Sequence, residues 1–248
     1  MKFNYKEVGK EIGWNFSKMK HIVEQDDPYF YYHEVVKHIT PNTVMLDIGC
    51  GSGEKAVCYF QEAKKVIMLD NEQEMLNKVQ NNLLKQQNKK LNQKFECVIG
   101  DGDNILDFDD ETFDLVVSRH CGANMSEVYR VLKKGGVFIS EDIDGDDCIE
   151  IKDYFKRGQG YGETSLLKEK IFKESLLAGF SKISLLNFDQ REYYLDIDEL
   201  KYLLERTPII GGYDENKDYL VLKKYCKDYS TEKGILLKRR LFAYELKK

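Results

Sequence analysis

The apolar residues of this chain fall into two registers. Residues 43–48, 65–69 (KVIML), 95–99 (FECVI), 113–118 (FDLVVS) and 136–140 (GVFIS) are apolar at nearly every position. Such short continuous runs predict strands buried on both faces. Between them, residues 54–63, 72–84 and 125–133 carry helical spacing, and Lys-Lys-Gly-Gly closes the last of these. Strands alternating with helices predict a doubly wound α/β fold with a mostly parallel sheet.

The flanks are less regular. Residues 1–40 read as a helical cap, with Val8, Ile12, Trp14, Phe16, Met19 and Ile22 at mixed spacing and a short amphipathic helix at 33–39. Pro41 and Asn42 break the chain before the first strand. Beyond residue 145 the pattern predicts a helix at 166–177 stopped by Gly179. One long strand or two short ones follow, from 181 through Tyr194. Helices at 197–205 and 219–229 and a final strand at 235–246 complete the chain. This gives one domain over 1–248, with a cofactor-binding core at 41–145 and a helical insertion at 190–230 that would shape an acceptor site.

Composition narrows the partners. The net charge of −5 argues against a nucleic-acid partner, although a local basic patch is compatible with it. No apolar run is long enough to span a bilayer, and the first residues lack a secretory h-region. Six cysteines at 50, 58, 97, 121, 148 and 226 form no CxxC pair, so free thiols in a reducing cytoplasm are expected rather than disulfides or zinc. Oligomeric state leaves no signal.

The chemistry concentrates at strand ends. Asp47 stands two residues before Gly49, and Gly49, Gly51 and Gly53 form a GxGxG turn into a helix. Glycines let the backbone turn sharply and let a ligand approach closely. A carboxylate beside the turn would repel a pyrophosphate but suit a cationic amino-acid moiety, as in S-adenosylmethionine. The second strand ends at Asp70, 21 residues after Gly49, where a carboxylate can take ribose hydroxyls. The third ends in Gly100-Asp101-Gly102-Asp103, placed for adenine, and the fourth in Ser118-Arg119-His120.

Together VMLDIGCGSG, the strand ending at Asp70, the Gly-Asp at 100–101, FDLVVSRH and EVYRVLKKGGVFIS resemble the class I S-adenosylmethionine-dependent methyltransferases. The likeness is greatest to the group that includes the ubiquinone- and menaquinone-type enzymes. The resemblance implies a seven-stranded sheet whose last strand, 235–246, is antiparallel. It places Asp47, Gly49, Gly51 and Gly53 around the methionine part, Asp70 at the ribose, and Asp101 with Gly102 at the adenine. Asn71, Met75 and Arg119 complete the cofactor set. After His120 the chain is compressed relative to the family pattern, which alters the floor of the acceptor pocket.

The acceptor is read as a small molecule methylated at O, N or C. An RNA acceptor and a non-catalytic cofactor-binding protein are the alternatives. His120, just past a strand end, is the general-base candidate. Arg119 could also bind an acidic group of the acceptor. Trp14, Tyr29, Tyr161 and Tyr194 are candidates for stacking on the acceptor. The acidic run 141–147 lacks the closing glutamate of a calcium loop and reads as a solvated loop, so no metal is expected. Lys238, Arg239 and Arg240 read as charges that protect an edge strand.

Overall fold

In the computed structural model, residues 7–8, 11, 16, 18–25, 29–86, 88–162 and 166–248 are described. Five strands run parallel: β2 (Val44–Ile48), β3 (Lys65–Asp70), β4 (Phe95–Ile99), β5 (Phe113–Arg119) and β6 (Leu132–Ile143). β9 (Gly234–Lys247) lies antiparallel between β6 and β7 (Lys182–Tyr194). β1 (His21–Gln25) adds to the outer side of β7, and β8 (Ser230–Thr231) pairs with β9. The order is β1-β7-β9-β6-β5-β2-β3-β4. The mostly parallel sheet with an antiparallel last strand is as expected, but among the described residues it has nine strands rather than seven because β1 and β8 extend it.

Both faces are covered, and strand alternation divides the core between them. Leu46 and Ile48 of β2 pack with α5 (Met125–Val131) and α7 (Leu166–Ala178). Met45 packs on the other face with α1 (Tyr31–Val36), α2 (Glu54–Tyr59) and α3 (Gln73–Lys85). Each fully buried leucine or isoleucine side chain here contributes about 2 kcal/mol. α4 (Lys89–Asn92) precedes β4.

β7 and β9 outrun the sheet. Ile143 of β6 pairs with Leu241, while β7 and β9 stay paired from Asp189–Arg240 out to Tyr194–Ile235. This ribbon projects past the carboxyl end of the parallel strands. α6 (Ile149–Phe155), α8 (Ile197–Arg206) and α9 (Glu215–Asp228) pack with it around Tyr194, Leu200, Leu222 and Leu237. The helical insertion thus has its own apolar cluster.

Four expectations are corrected. Residues 21–25 are a strand, not part of a helical cap: two consecutive β-branched residues, Ile22 and Val23, pair along the projecting ribbon. Trp14 lies outside the described residues. α5 ends at Val131, ahead of the glycines, because Leu132 is already extended at φ −71°, ψ 137°. β6 runs on to Ile143, so Glu141 and Asp142 are strand residues rather than a solvated loop. Lys238, Arg239 and Arg240 lie where β9 has run past β6 and pairs with β7 alone, but they are paired charges rather than free edge charges, Lys238 with Glu150. Arg239 is instead buried against Asp147 and Glu192, and Arg240 meets Glu150.

Candidate active site

The parallel strands deliver their loops to one end. Gly49, Gly51 and Gly53 all have positive φ, at 69°, 54° and 65°. At Gly49 a Cβ would collide with the Cys121 side chain, and at Gly53 it would come within 2.8 Å of Val79. The turn therefore demands glycine on both conformational and steric grounds. It is tied to β3 twice over. The Gly49 N–H donates to the Leu69 carbonyl at 2.8 Å, and the Gly51 N–H donates to Asp70 Oδ2 at 2.9 Å. Asp70 Oδ1 accepts from the Glu72 N–H at 2.9 Å. Each carboxylate oxygen of Asp70 keeps a further lone pair for a hydroxyl.

Asp47 has no hydrogen-bond donor or cation among the described residues, yet it is only 8% exposed. Burial, and then the neighbouring charge of Asp70, push its carboxyl up to about 8. Burial also raises Asp70, against the pull of its backbone N–H partners. Two carboxyls beside a glycine cradle form a site that favours a cation.

The next loops close on the first. Asp101 accepts from the Asp103 N–H and the Asn104 amide, shaping the turn after β4. Gly102 packs against Ile48 and the Gly122 carbonyl, leaving no room for a Cβ. Its carbonyl accepts from the Asn124 N–H at 2.8 Å. Asn71 is exposed just past β3, and Met75 is buried in the first turn of α3.

Arg119 and His120 converge on Glu141. Arg119 Nε donates to Glu141 Oε1 at 2.7 Å, and His120 Nε2 lies 3.2 Å from the same oxygen. The His120 N–H also donates to the Glu141 carbonyl, with the histidine at φ 55°. Burial pushes Glu141 up, but the His120 bond and the Arg119 charge hold it net below the usual range. Burial lowers His120, against its bond to Glu141. The ring is held by Glu141 through Nε2. Its Nδ1 has no partner among the described residues. Arg119 bonds Glu141 through Nε, and its side chain remains partly exposed.

Beside this loop lies a cavity of about 620 Å³. Asp103, Cys121 and Gly122 form its side toward the glycine turn. Asp142 and Tyr244 line it from the sheet, and Leu167, Ile171 and Glu174 from α7. Burial, with Glu141 adding to it, raises Asp142 to about 7. The sequence signal for these residues was the acidic run, but it reads as a loop until β6 is seen to continue through it.

The aromatic candidates do not gather in that cavity. Tyr29 packs tilted against Phe188 with ring centroids 4.8 Å apart, its buried hydroxyl lacking a partner among the described residues. It borders a separate cavity of about 380 Å³. Tyr161 donates to Asp153 at 2.9 Å, outside both cavities. Tyr194 is a core residue: it is fully buried in the ribbon's cluster and donates to Glu192. Among the described residues no group of three or more histidine, cysteine or acidic side chains could hold a metal ion, and no helix is long and apolar enough to cross a membrane.

Residues 46–140 match a protein family described as a methyltransferase domain. The chain is 32% identical over 119 residues to the sterol 24-C-methyltransferase of Debaryomyces hansenii, across 44% of this chain and 30% of that enzyme. It therefore spans about a third of that relative's length. Its fold is shared with the YcgJ protein of Bacillus subtilis, at a TM-score of 0.63 and 16% identity, over 88% of this chain and 97% of that one. It is shared too with the phosphoethanolamine N-methyltransferase 2 of Haemonchus contortus, solved with phosphomonomethylethanolamine and S-adenosylhomocysteine. There the TM-score is 0.55 and the identity 21%, over 88% of this chain and 52% of that one. The matches do not single out the ubiquinone- and menaquinone-type group. Residues 46–140 thus match a methyltransferase domain, and the fold is shared with those two solved structures.

Proposed function

We propose that this chain, built around a class I methyltransferase domain, transfers a methyl group from S-adenosylmethionine to a small-molecule acceptor. The observation that carries the reading is Asp47: a buried carboxyl with no partner among the described residues, raised to about 8, beside a glycine cradle. An α-ammonium group there supplies the missing counter-charge, whereas a pyrophosphate would add to the repulsion.

In this reading Asp47, Gly49, Gly51 and Gly53 hold the methionine part. Asp70 takes the ribose hydroxyls with Asn71 alongside. Asp101 and Gly102 flank the adenine, and Met75 supports the turn from α3. Bound there, S-adenosylmethionine supplies a methyl carbon on a sulfonium that leaves as a neutral thioether. The protein then has to orient the acceptor and take its proton. Glu141 fixes the His120 ring, and His120 is the acid–base group at this strand end. Arg119 positions Glu141. The insertion after β7 bounds the acceptor side. Six unpaired thiols suit a reducing compartment such as the cytoplasm.

Calorimetry with S-adenosylhomocysteine, S-adenosylmethionine and NAD tests the donor. Binding of NAD without binding of either sulfur ligand overturns it. Transfer of labelled methyl to a small-molecule pool, and not to RNA, tests the acceptor class. Label in RNA alone overturns the small-molecule reading.

A further inference from the structure

The cavity of about 620 Å³ beside Cys121 has a divided lining. Leu167, Ile171 and Met125 give it apolar walls, and Asp103, Asp142 and Glu174 bring three carboxylates to it. Among the described residues Lys170 is the one basic side chain in its lining, and it lies 3.9 Å from Glu174 on the same helix. Asp142 accepts one bond, from the Ile143 N–H at 3.1 Å, and has no cation among the described residues. Below it on the same face of β6 is Ser140, paired in register with Tyr244. Ser140 is completely buried there, and Tyr244 rather than Ser140 lines the cavity. A strand carboxylate without a cation among the described residues, between apolar walls with an acidic surplus, describes the ligand that would complete it. An anionic acceptor would meet like charge. A cationic nitrogen with an apolar body matches both parts of the lining.

We propose that the methyl acceptor is a small amine with an apolar body, its nitrogen against Asp142 and its body between Leu167 and Ile171. This rests on the reading that the glycine turn holds S-adenosylmethionine. The amine enters as an ammonium and, because His120 does not line this cavity, gives one proton to the Asp142 carboxylate rather than to His120. Its freed lone pair forms the new N–C bond to the methyl carbon while the S–C bond breaks onto sulfur. The products are a methylated ammonium and a neutral thioether, and Asp142 returns its proton to water. Burial raises Asp142 to about 7, which suits a group that accepts and then releases a proton near neutrality.

The test is calorimetry on the full chain saturated with S-adenosylhomocysteine, using phenethylamine, 2-phenylethanol and phenylacetate as probes of matched shape. Phenethylamine is expected to bind at least tenfold more tightly than the alcohol, with phenylacetate weakest. Asp142→Asn keeps an acceptor for the Ile143 N–H and should erase that gap without changing S-adenosylhomocysteine affinity. Glu174→Gln, remote from the sheet, should narrow it several-fold and serves if the first variant does not fold. Equal binding of amine and alcohol, a preference for phenylacetate, no probe binding at all, or a gap untouched in both variants overturns the amine assignment while leaving the donor reading intact. Failure of S-adenosylhomocysteine itself to bind overturns the donor reading, and the amine assignment with it.

Discussion

The Gly51 N–H donates to Asp70 Oδ2 at 2.9 Å, so the glycine turn and the carboxylate at the end of β3 are one unit. Asp70→Ala therefore removes more than a ribose ligand: it also frees the Gly51 and Glu72 N–H groups that shape the turn. Hydrogen bonds to a charged group are worth about 1.5–3 kcal/mol. S-adenosylhomocysteine affinity should fall about ten- to a hundredfold by calorimetry. Asp70→Asn, which keeps one acceptor oxygen, should fall less. Unchanged affinity in both would remove Asp70 from the site.

Asp47 sets binding against stability. Its folded pKa of about 8 is above its usual value, so the folded state holds a proton that the unfolded state releases. Its ionisation opposes folding, and stability is lost as pH rises toward 8. Asp47→Asn should raise the melting temperature of the ligand-free protein at pH 8, by about 1–3 kcal/mol of stability, with little gain at pH 5. The same variant should lose S-adenosylmethionine binding. A variant that binds normally would show that no ammonium rests there.

The core was legible because β2, β3 and β5 are buried on both faces, so their apolar runs stand out and the acidic residues at the strand ends mark the site. Met45 and Leu46 are adjacent in sequence yet serve opposite faces, a signature of a doubly covered sheet. The ends of the chain were less legible because tertiary partners decide them. Arg239 in mid-strand looks like an edge charge until Asp147 and Glu192 are beside it. Asp142 looks like loop until β9 pairs with it through Phe242. β1 forms only because β7 projects beyond the sheet.

Gly49 carries a conformational and a steric demand that can be separated. Gly49→Ala places a Cβ at φ 69° and against Cys121. Left-handed backbone costs an ordinary residue about 1–2 kcal/mol, and overpacking adds about 1–3 kcal/mol. Denaturant unfolding should show both losses. Adding Cys121→Gly should recover the overpacking part alone, leaving the backbone cost. No recovery would mean that Cys121 does not press on the turn.

Glu141 gives an acid-side signature. Its folded pKa is lowered, so its pairing with Arg119 and His120 stabilises the fold above its unfolded pKa. That contribution is lost as pH falls through the folded value. Glu141→Gln should cost about 2 kcal/mol at pH 7, discounted because Arg119 is partly exposed. It should also flatten the acid limb of the stability profile. If His120 is the base, the variant's turnover-versus-pH profile should shift as well. An unmoved profile would make Glu141 purely structural.

Arg239 joins the ribbon to the end of β6. Nε donates to Asp147 Oδ1 at 3.0 Å, and Nη1 lies 3.3 Å from Glu192 Oε1. Asp147 also accepts from the Arg240 N–H, and Glu192 from the Tyr194 hydroxyl. Arg239→Met would strand two buried carboxylates, and breaking one side of such a network costs about 3–5 kcal/mol. Denaturant unfolding should report that loss. Because the desolvation of the acids, not the missing attraction, makes up most of it, Arg239→Met/Asp147→Asn/Glu192→Gln should regain a large share. S-adenosylhomocysteine affinity should hold in the single variant, since the proposed cofactor residues lie on β2 to β5 and the helices they feed. Amine binding should weaken, because Asp144 at the end of β6, held by Lys168 of α7 and by the Arg240 carbonyl, connects this junction to the wall of the cavity. Equal loss of both ligands would place Arg239 in the general stability of the fold rather than at the junction between the sheet and its projecting cap.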